Sequence, residues 1–544
     1  MKFNKLLLAI FASLLIIIIG CASDSDTGTE KDVDEAEVEQ DTAEADDETD
    51  EEATASSDGK ELRVAVNAQP ANLDHPMDPA VVVRDMARLM FETLVTTDSD
   101  FQPVPMLAES IDVSDDGKTY TFHLREGIEF HNGKEMTSED VVASMYRWLE
   151  KSSVTGAIFD DATWEADGDY TVVLELAQPS VMTLDTMASA KQAAAIMPKE
   201  VVEEASPEGV NDYIGTGPFE FVEWQQDQYI HFQKYDNYQP VDEPADGLAG
   251  KREALVDDIY FDIVTDPTTR LSGLQTGQYD IIYGIPYDDY EQVLNDPDNE
   301  PYVDSYGEFI FIYNKVEGPA TEYKMREAIN AALDMDEIMM AAFTSDDLFW
   351  LSPGYMHKNI ANWASDEGEE HYNQADPEKA KEILDEIGYD GEEFVIMTNR
   401  DYDYMYSASV VIQDQLTNIG MNVELEVVDW ATLLDRQNNS PDTWDAYVVG
   451  SSIVSTPSQL LAVSPTWAGG VEDDKTLDMI KEIEATESMD EAKELWDELQ
   501  RYSWEEHLPI STLGGYYDLF GANNKVEGFT TFSGPIFWNT TINE

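Results

Sequence analysis

The sequence predicts an α/β protein on three observations: strand-like and helix-like segments alternate along the chain, helix starts recur with recognisable caps, and turn signals separate the strands. The first element is Glu61-Leu62-Arg63-Val64-Ala65-Val66, whose polar–apolar alternation has the period of a strand. It runs into a turn-rich loop over 67–74. From 81 to 95 apolar residues recur at helical spacing, with Met86, Leu89, Met90 and Leu94 on one side. Asp116-Gly117 then turns a hairpin whose second strand lines one face with Tyr120, Phe122 and Leu124, and Asn132-Gly133 makes a further turn. Thr137, with Asp140 three places on, caps a helix over 141–149. Gly215-Thr216-Gly217 is not a dinucleotide-binding loop, because Pro218 follows and the required helix start cannot form. Residues 270–277 read as an amphipathic helix with Leu271 and Leu274 inward and a glycine stop. Asp376 caps another helix, with Pro377 in its first turn.

The N-terminus sets the expected compartment. Lys2 and Lys5 precede an apolar run over 6–19, too short for a stable span and built like the core of a signal peptide. Ile18-Ile19-Gly20-Cys21 follows and resembles the lipobox of bacterial lipoproteins, which implies cleavage after residue 20 and lipidation of Cys21. Cys21 is the single cysteine of 544 residues, so a disulfide framework and Cys-based metal sites are excluded. Residues 22–60 hold 17 Asp or Glu against 2 Lys and have almost nothing apolar to bury, the composition of an extended tether.

The whole chain carries a formal charge of −82, from 31 Lys and Arg against 113 Asp and Glu. Removing the tether's −15 and the signal's +2 leaves −69 on residues 61–544. Such a charge repels phosphate backbones, which excludes nucleic acid as a partner. It also destabilises a compact fold unless salt screens it, so saline surroundings and a halophilic acidic surface are expected.

A succession of motifs then points to a family. Leu107-Ala108-Glu109-Ser110 is followed by Asp116-Gly117-Lys118-Thr119-Tyr120, Phe130-His131-Asn132-Gly133 and Thr137-Ser138-Glu139-Asp140-Val141. Ile214-Gly215-Thr216-Gly217-Pro218-Phe219, Asp266-Pro267-Thr268-Thr269-Arg270-Leu271, Met325-Arg326-Glu327-Ala328-Ile329-Asn330 and Gln413-Asp414-Gln415-Leu416 continue it in order. The series, from 61 to about 540, resembles the family 5 extracellular solute-binding proteins, the oligopeptide-, dipeptide- and nickel-binding components of ABC importers. The resemblance implies a two-lobed, type II periplasmic-binding-protein fold with a hinge. It divides the chain into a discontinuous first lobe (61–100, 211–303 and 506–544), an extra domain inserted at 101–210 and a second lobe at 304–505. It further implies a monomer, anchored by its lipid to the extracytoplasmic face of the membrane, that captures a solute, a peptide foremost, in the cleft between lobes and hands it to permease subunits and their ATPase. A non-peptide solute such as an oligosaccharide, a sensor that does not transport, and a secreted lipoprotein hydrolase are the alternatives.

Ligand contacts are expected from loops facing the cleft. In the loop after the first strand these are Asn67, Ala68, Gln69 and Asn72, which offer neutral donors and acceptors to a peptide-like backbone. In the loop expected after strand 446–449 they are Gly450, Ser451, Ser452 and Val454, with the Trp467 indole shortly after as the wall of a side-chain pocket, and Tyr306 and Trp430 are further candidates. Peptide-binding relatives carry an aspartate in that second loop for the ligand's amino group, whereas residues 450–458 contain no acid. No zinc-protease motif, phosphate-binding loop or nucleophile elbow occurs, and the 7 histidines are scattered without ligand spacing. No catalytic residue, cofactor or metal is therefore expected. His131 reads as a turn residue.

Overall fold

The computed structural model describes residues 59–464, 467, 469–470 and 473–543. The expectations for the signal, Cys21 and the tether lie outside these residues, except for the tether's last two. One sheet of eleven strands organises the molecule. Across it run Asn422–Val427, Glu393–Thr398, Ala446–Ser452, Asn299–Tyr313, Ile510–Asn523, Ile281–Tyr283, Glu61–Val66, Asp258–Ile263, Tyr229–Lys234 and Phe219–Gln225, with Phe349–Trp350 pairing onto Ile510–Asn523.

The pairing falls into two parallel groups joined by one antiparallel ribbon. Glu61–Val66 pairs in parallel with Asp258–Ile263 and Ile281–Tyr283, and Glu393–Thr398 in parallel with Asn422–Val427 and Ala446–Ser452. Asn299–Tyr313 and Ile510–Asn523 run antiparallel through the middle. The groups attach at opposite ends of this ribbon, one along 307–313 and the other along 520–522. Between these attachments the register shifts from Ser305 to Gly307. Such a bulge bends the ribbon and strengthens its local twist. Gly307 is required there, with φ 144° and the Ser451 carbonyl 2.1 Å from where a Cβ would sit.

A second, antiparallel sheet pairs Ala108–Val113, Thr119–Leu124, Thr171–Glu175 and Thr163–Ala166 in that order. Tyr120, Phe122 and Leu124 are buried on one face, as the alternation predicts. Helix Ser138–Lys151 belongs with this sheet and starts three residues before the expected 141, because the Asp140 carboxylate accepts from the Thr137 amide (3.0 Å) and hydroxyl (2.9 Å). The helices at Pro267–Thr276 and Pro377–Ile387 begin on the carboxylates of Asp266 and Asp376, which accept from Thr269 N and Lys379 N.

One helix is shorter than its periodicity predicts. Apolar spacing extends to residue 95, yet the helix is Val81–Met90, and Val95–Thr97 is a strand. The cause is the Gly215-Thr216-Gly217 segment crossing its end. Gly217 N donates to the Met90 carbonyl (2.8 Å), and a Cβ on Gly215 would lie 2.0 Å from that oxygen. These glycines serve close backbone approach.

Candidate ligand cavity at the strand crossing

Midway along the ribbon, where it joins neither parallel group, Asp304 faces Asp518 in the register. A cavity opens here, and the space between atoms, counted together with the open solvent at its mouth, is about 510 Å³. Asp304, Ser305, Tyr306 and Asp518 supply its floor, and Arg84, at the start of helix Val81–Met90, reaches it from one side. Lys191, Ser452 and Ser533 complete its polar lining.

A charge network holds the floor. Asp85 accepts from Arg84 Nε (2.7 Å) and Arg88 (3.2 Å), and Arg88 also donates to the Ser533 carbonyl (2.6 Å). Asp304 accepts from the Gly534 amide (2.6 Å). These bonds clamp the C-terminal segment onto the helix. Burial pushes the Asp304 carboxyl up to about 6, opposed by the Gly534 bond and by Arg84. Burial, then the Asp304 charge, push Asp518 up to about 7, with Arg84 opposing.

Tyr306 lines the cavity and belongs to a cluster of aromatic rings behind it. Tyr306 stacks on Tyr516 with centroids 5.0 Å apart, Tyr404 lies 5.6 Å from Tyr516, and Tyr402 meets Tyr404 at 6.0 Å and Trp430 at 5.3 Å. Burial first and the Asp518 charge second raise the Tyr306 and Tyr402 phenols, so these rings lie within electrostatic reach of that carboxylate.

The sequence profile described as Bacterial extracellular solute-binding proteins, family 5 Middle, matches residues 102–498, well over half the chain. The chain belongs to this family. It is 29% identical to "Probable peptide ABC transporter periplasmic-binding protein y4tO" of Sinorhizobium fredii, over 89% of this chain and 94% of that protein. It is 27% identical to "Oligopeptide-binding protein AppA" of Bacillus subtilis, over 69% and 70%. Among solved structures, the binding protein AgaA in complex with agropinic acid, from A. tumefaciens R10, superposes with a TM-score of 0.74 at 25% identity, covering 89% of this chain and 99% of that one. CtaP of Listeria monocytogenes, at 21% identity, shares the fold with a TM-score of 0.78 over 90% and 100%. The fold is thus the type II periplasmic-binding-protein fold. Among the described residues of this family 5 protein, no helix is long and apolar enough to cross a membrane.

In this solute-binding protein the residues expected to meet ligand are dispersed. Tyr306 and Ser452 line the cavity, and Trp430 joins the aromatic cluster behind Tyr306 through Tyr402. Gly450, Ser451 and Ser452 are not in a loop, because the strand continues through them and pairs Ser451 with Glu308 and Ser452 with Gly307. Gly450 accommodates the Tyr516 phenol, whose oxygen lies 2.0 Å from a Cβ position. Val454 is buried, and Trp467 packs partly buried against the apolar core.

Asn67, Ala68, Gln69 and Asn72 do not line this cavity. Gln69 instead bonds Gln226 and the Asp227 amide, and Asn72 shapes its own turn by accepting from Asp74 N and donating to Asp78. Further along that segment, Pro79, Val81 and Arg84 take the position at the cavity. Sequence reasoning missed Arg84, Lys191, Asp304, Asp518 and Ser533. The faint signal for two of them was an aspartate inside an aromatic strand run, in Tyr302-Val303-Asp304-Ser305-Tyr306 and in Tyr516-Tyr517-Asp518-Leu519-Phe520.

His131 is fully used within the fold. Its Nδ1 accepts from Gly215 N (3.3 Å), its Nε2 faces the Gly217 carbonyl (3.0 Å), and burial lowers it to about 4. It is therefore a neutral imidazole locking two family motifs together. Among the described residues Glu370, His371 and Glu505 form a trio of metal-ligand type at the surface, of a kind common in acidic proteins without an ion.

Proposed function

We propose that this protein is the capturing component of an ABC importer, holding an extracellular solute, foremost a peptide, in the cavity at the strand crossing and delivering it to the permease. The observation that carries this reading is the single ribbon joining two parallel groups of strands, with the cavity at the joint. Two crossings make a hinge, and rotation about it encloses whatever lies between the groups. In this reading the lobes are 61–100 with 211–303 and 506–544, and 304–505, with 101–210 inserted in the first. The names of the Sinorhizobium and Bacillus relatives support a peptide ligand. A binding role, with no catalysis, agrees with the family membership.

A second reading, a small non-peptide solute, is favoured by the absence of any acid from 450–458 and by the AgaA complex with agropinic acid. The test is to screen a mixed di- to tetrapeptide library and a neutral oligosaccharide set by thermal shift, then record X-ray scattering with and without each hit. A hit is expected to raise the melting temperature by mass action and to reduce the radius of gyration. Scattering curves that superpose with and without a saturating hit would sink the hinged-capture reading.

The lipid anchor belongs to the same proposal. Cys21→Ser is expected to move the protein from the membrane fraction into the medium. A variant that stays with the membrane would remove the anchor.

A further inference from the structure

We propose that the cavity selects a small zwitterion, its cationic nitrogen on the carboxylate of Asp518 against the Tyr306 ring and its anionic end toward Lys191 and Arg84. This deepens the capture reading and rests on it.

The inference starts from which charges in the cavity are already spoken for. Asp85 is held by two arginines, Asp304 by the Gly534 amide, and the Nε of Arg84 by Asp85. Asp518 and Lys191 both line the cavity, and neither side chain has a hydrogen bond or ion pair with any described residue. One pole of each sign is thus left over on the same space, and the two outer nitrogens of Arg84 add to the positive side. Desolvation disfavours both leftover charges: burial raises the Asp518 carboxyl and lowers the Lys191 ammonium. A ligand bringing the opposite charge to each would restore what burial removed, through charge-assisted hydrogen bonds.

Composition sharpens the point. The chain has 31 Lys and Arg against 113 Asp and Glu, so a cavity lined by Arg84 and Lys191 together with Asp304 and Asp518 is balanced in a protein that is otherwise strongly negative. A neutral sugar would leave both poles unpaired, and a simple anion or cation would satisfy only one. The absence of acids from 450–458 then has a physical counterpart, since the amine can be received by the ribbon.

Binding also has a proton signature. With its carboxyl near 7, Asp518 is partly protonated at pH 6.5 and must ionise to receive a cation. The groups around it are Asp304 on the facing strand, raised to about 6, Arg84 and Asp85 on the helix, and the phenols of Tyr287, Tyr306, Tyr402, Tyr404 and Tyr516, which burial raises above their ordinary value. Affinity should therefore weaken on acidification below about 7, with proton release on binding at pH 6.5.

The experiment compares the free di- to tetrapeptide library with its N-acetylated and its C-amidated forms on wild type, Asp518→Asn and Lys191→Gln, by calorimetry. Wild type should bind the free library, each blocked form should bind roughly ten- to a hundredfold more weakly, and Asp518→Asn should lose a similar factor toward free peptides. If a variant misfolds, the wild type still decides the matter, because its binding enthalpy at pH 6.5 should differ between phosphate and Tris by the heat of the proton released. Equal affinity of the free and acetylated libraries, unchanged affinity in Asp518→Asn, or buffer-independent enthalpy overturns the inference. If only the oligosaccharide set binds, the zwitterion falls while solute capture stands. If nothing binds, both fall.

Discussion

Arg147→Met is expected to lower stability by about 3–5 kcal/mol, because it strands a buried carboxylate. Arg147, in helix Ser138–Lys151, is ion-paired to Asp74, which lies in the loop after the first strand; the two side chains are 6% and 0% exposed. Asp74 also accepts from Val210 N (3.0 Å), so one carboxylate ties three distant stretches of chain together. With the guanidinium gone, the carboxylate keeps a single amide bond in an environment closed to water. At the entropy of unfolding of a chain this size, the melting temperature should fall by roughly 3–5 °C. The pair itself need not be strongly stabilising, since its own desolvation offsets much of the attraction. The double variant Asp74→Asn with Arg147→Met, which removes both charges and keeps the Val210 acceptor, should therefore recover most of the loss. A single variant that melts within 1 °C of wild type, or a double variant no better than the single, would contradict this account.

The second large effect is a pH dependence set by Glu308. This residue sits mid-ribbon, paired with Ser451 on one side and Gly515 on the other, and is 7% exposed. Burial pushes its carboxyl up to about 8, opposed by its own backbone amide and by Lys358, whose ammonium lies over the Trp350 ring 3.9 Å from the centroid. In the unfolded chain the same carboxyl titrates near the ordinary glutamate value. Between those values the folded state holds a proton that the unfolded state has lost, so stability declines as pH rises toward 8.

Buried histidines act in the opposite direction but in a different window. His75 is held near 3, and His131, His357 and His507 near 4, so their contribution is lost only as pH falls below the unfolded value of about 6.5. From pH 6.5 to 8 other buried groups, Asp518, Asp185, Glu484 and Lys315, also titrate near 7, so the Glu308 contribution is isolated by comparison with a variant that lacks only its carboxyl. Wild type should lose on the order of 1–2 kcal/mol more than Glu308→Gln across that range. Parallel stability–pH curves for the two proteins would refute it. Salt distinguishes this local effect from the diffuse one. The −69 spread over residues 61–544 should make both proteins melt higher as NaCl rises from ~0.05 to ~1 M, whereas the difference between them should persist because a buried group is screened far less.

Much of the local structure was legible in the sequence because it rests on interactions within a few residues. The strand at 61–66, the cap at Asp376 and the glycine stop at Gly277 each reappear in the structure, whereas the helix expected from 270 starts at Pro267, on the Asp266 carboxylate. The family was legible for a related reason: its motifs mark close approaches, such as His131 against Gly215 and Gly217, that tolerate little substitution. Where a distant segment intervened, local reasoning failed. The helix predicted to residue 95 stops at Met90 because the distant Gly217 amide takes its last carbonyl, and the strand predicted to end at Val449 runs to Ser452 because the ribbon offers it partners.

Apart from Tyr306 and Ser452, the polar lining of the cavity was decided by tertiary structure. Arg84, Lys191, Asp304, Asp518 and Ser533 come from five separated stretches, and in sequence each is an ordinary polar residue, the two acids being lost among 113. What sets Asp518 and Lys191 apart is the lack of a hydrogen-bond or ion-pair partner among the described residues at the cavity, and that property belongs to the assembled site and to no local pattern of residues.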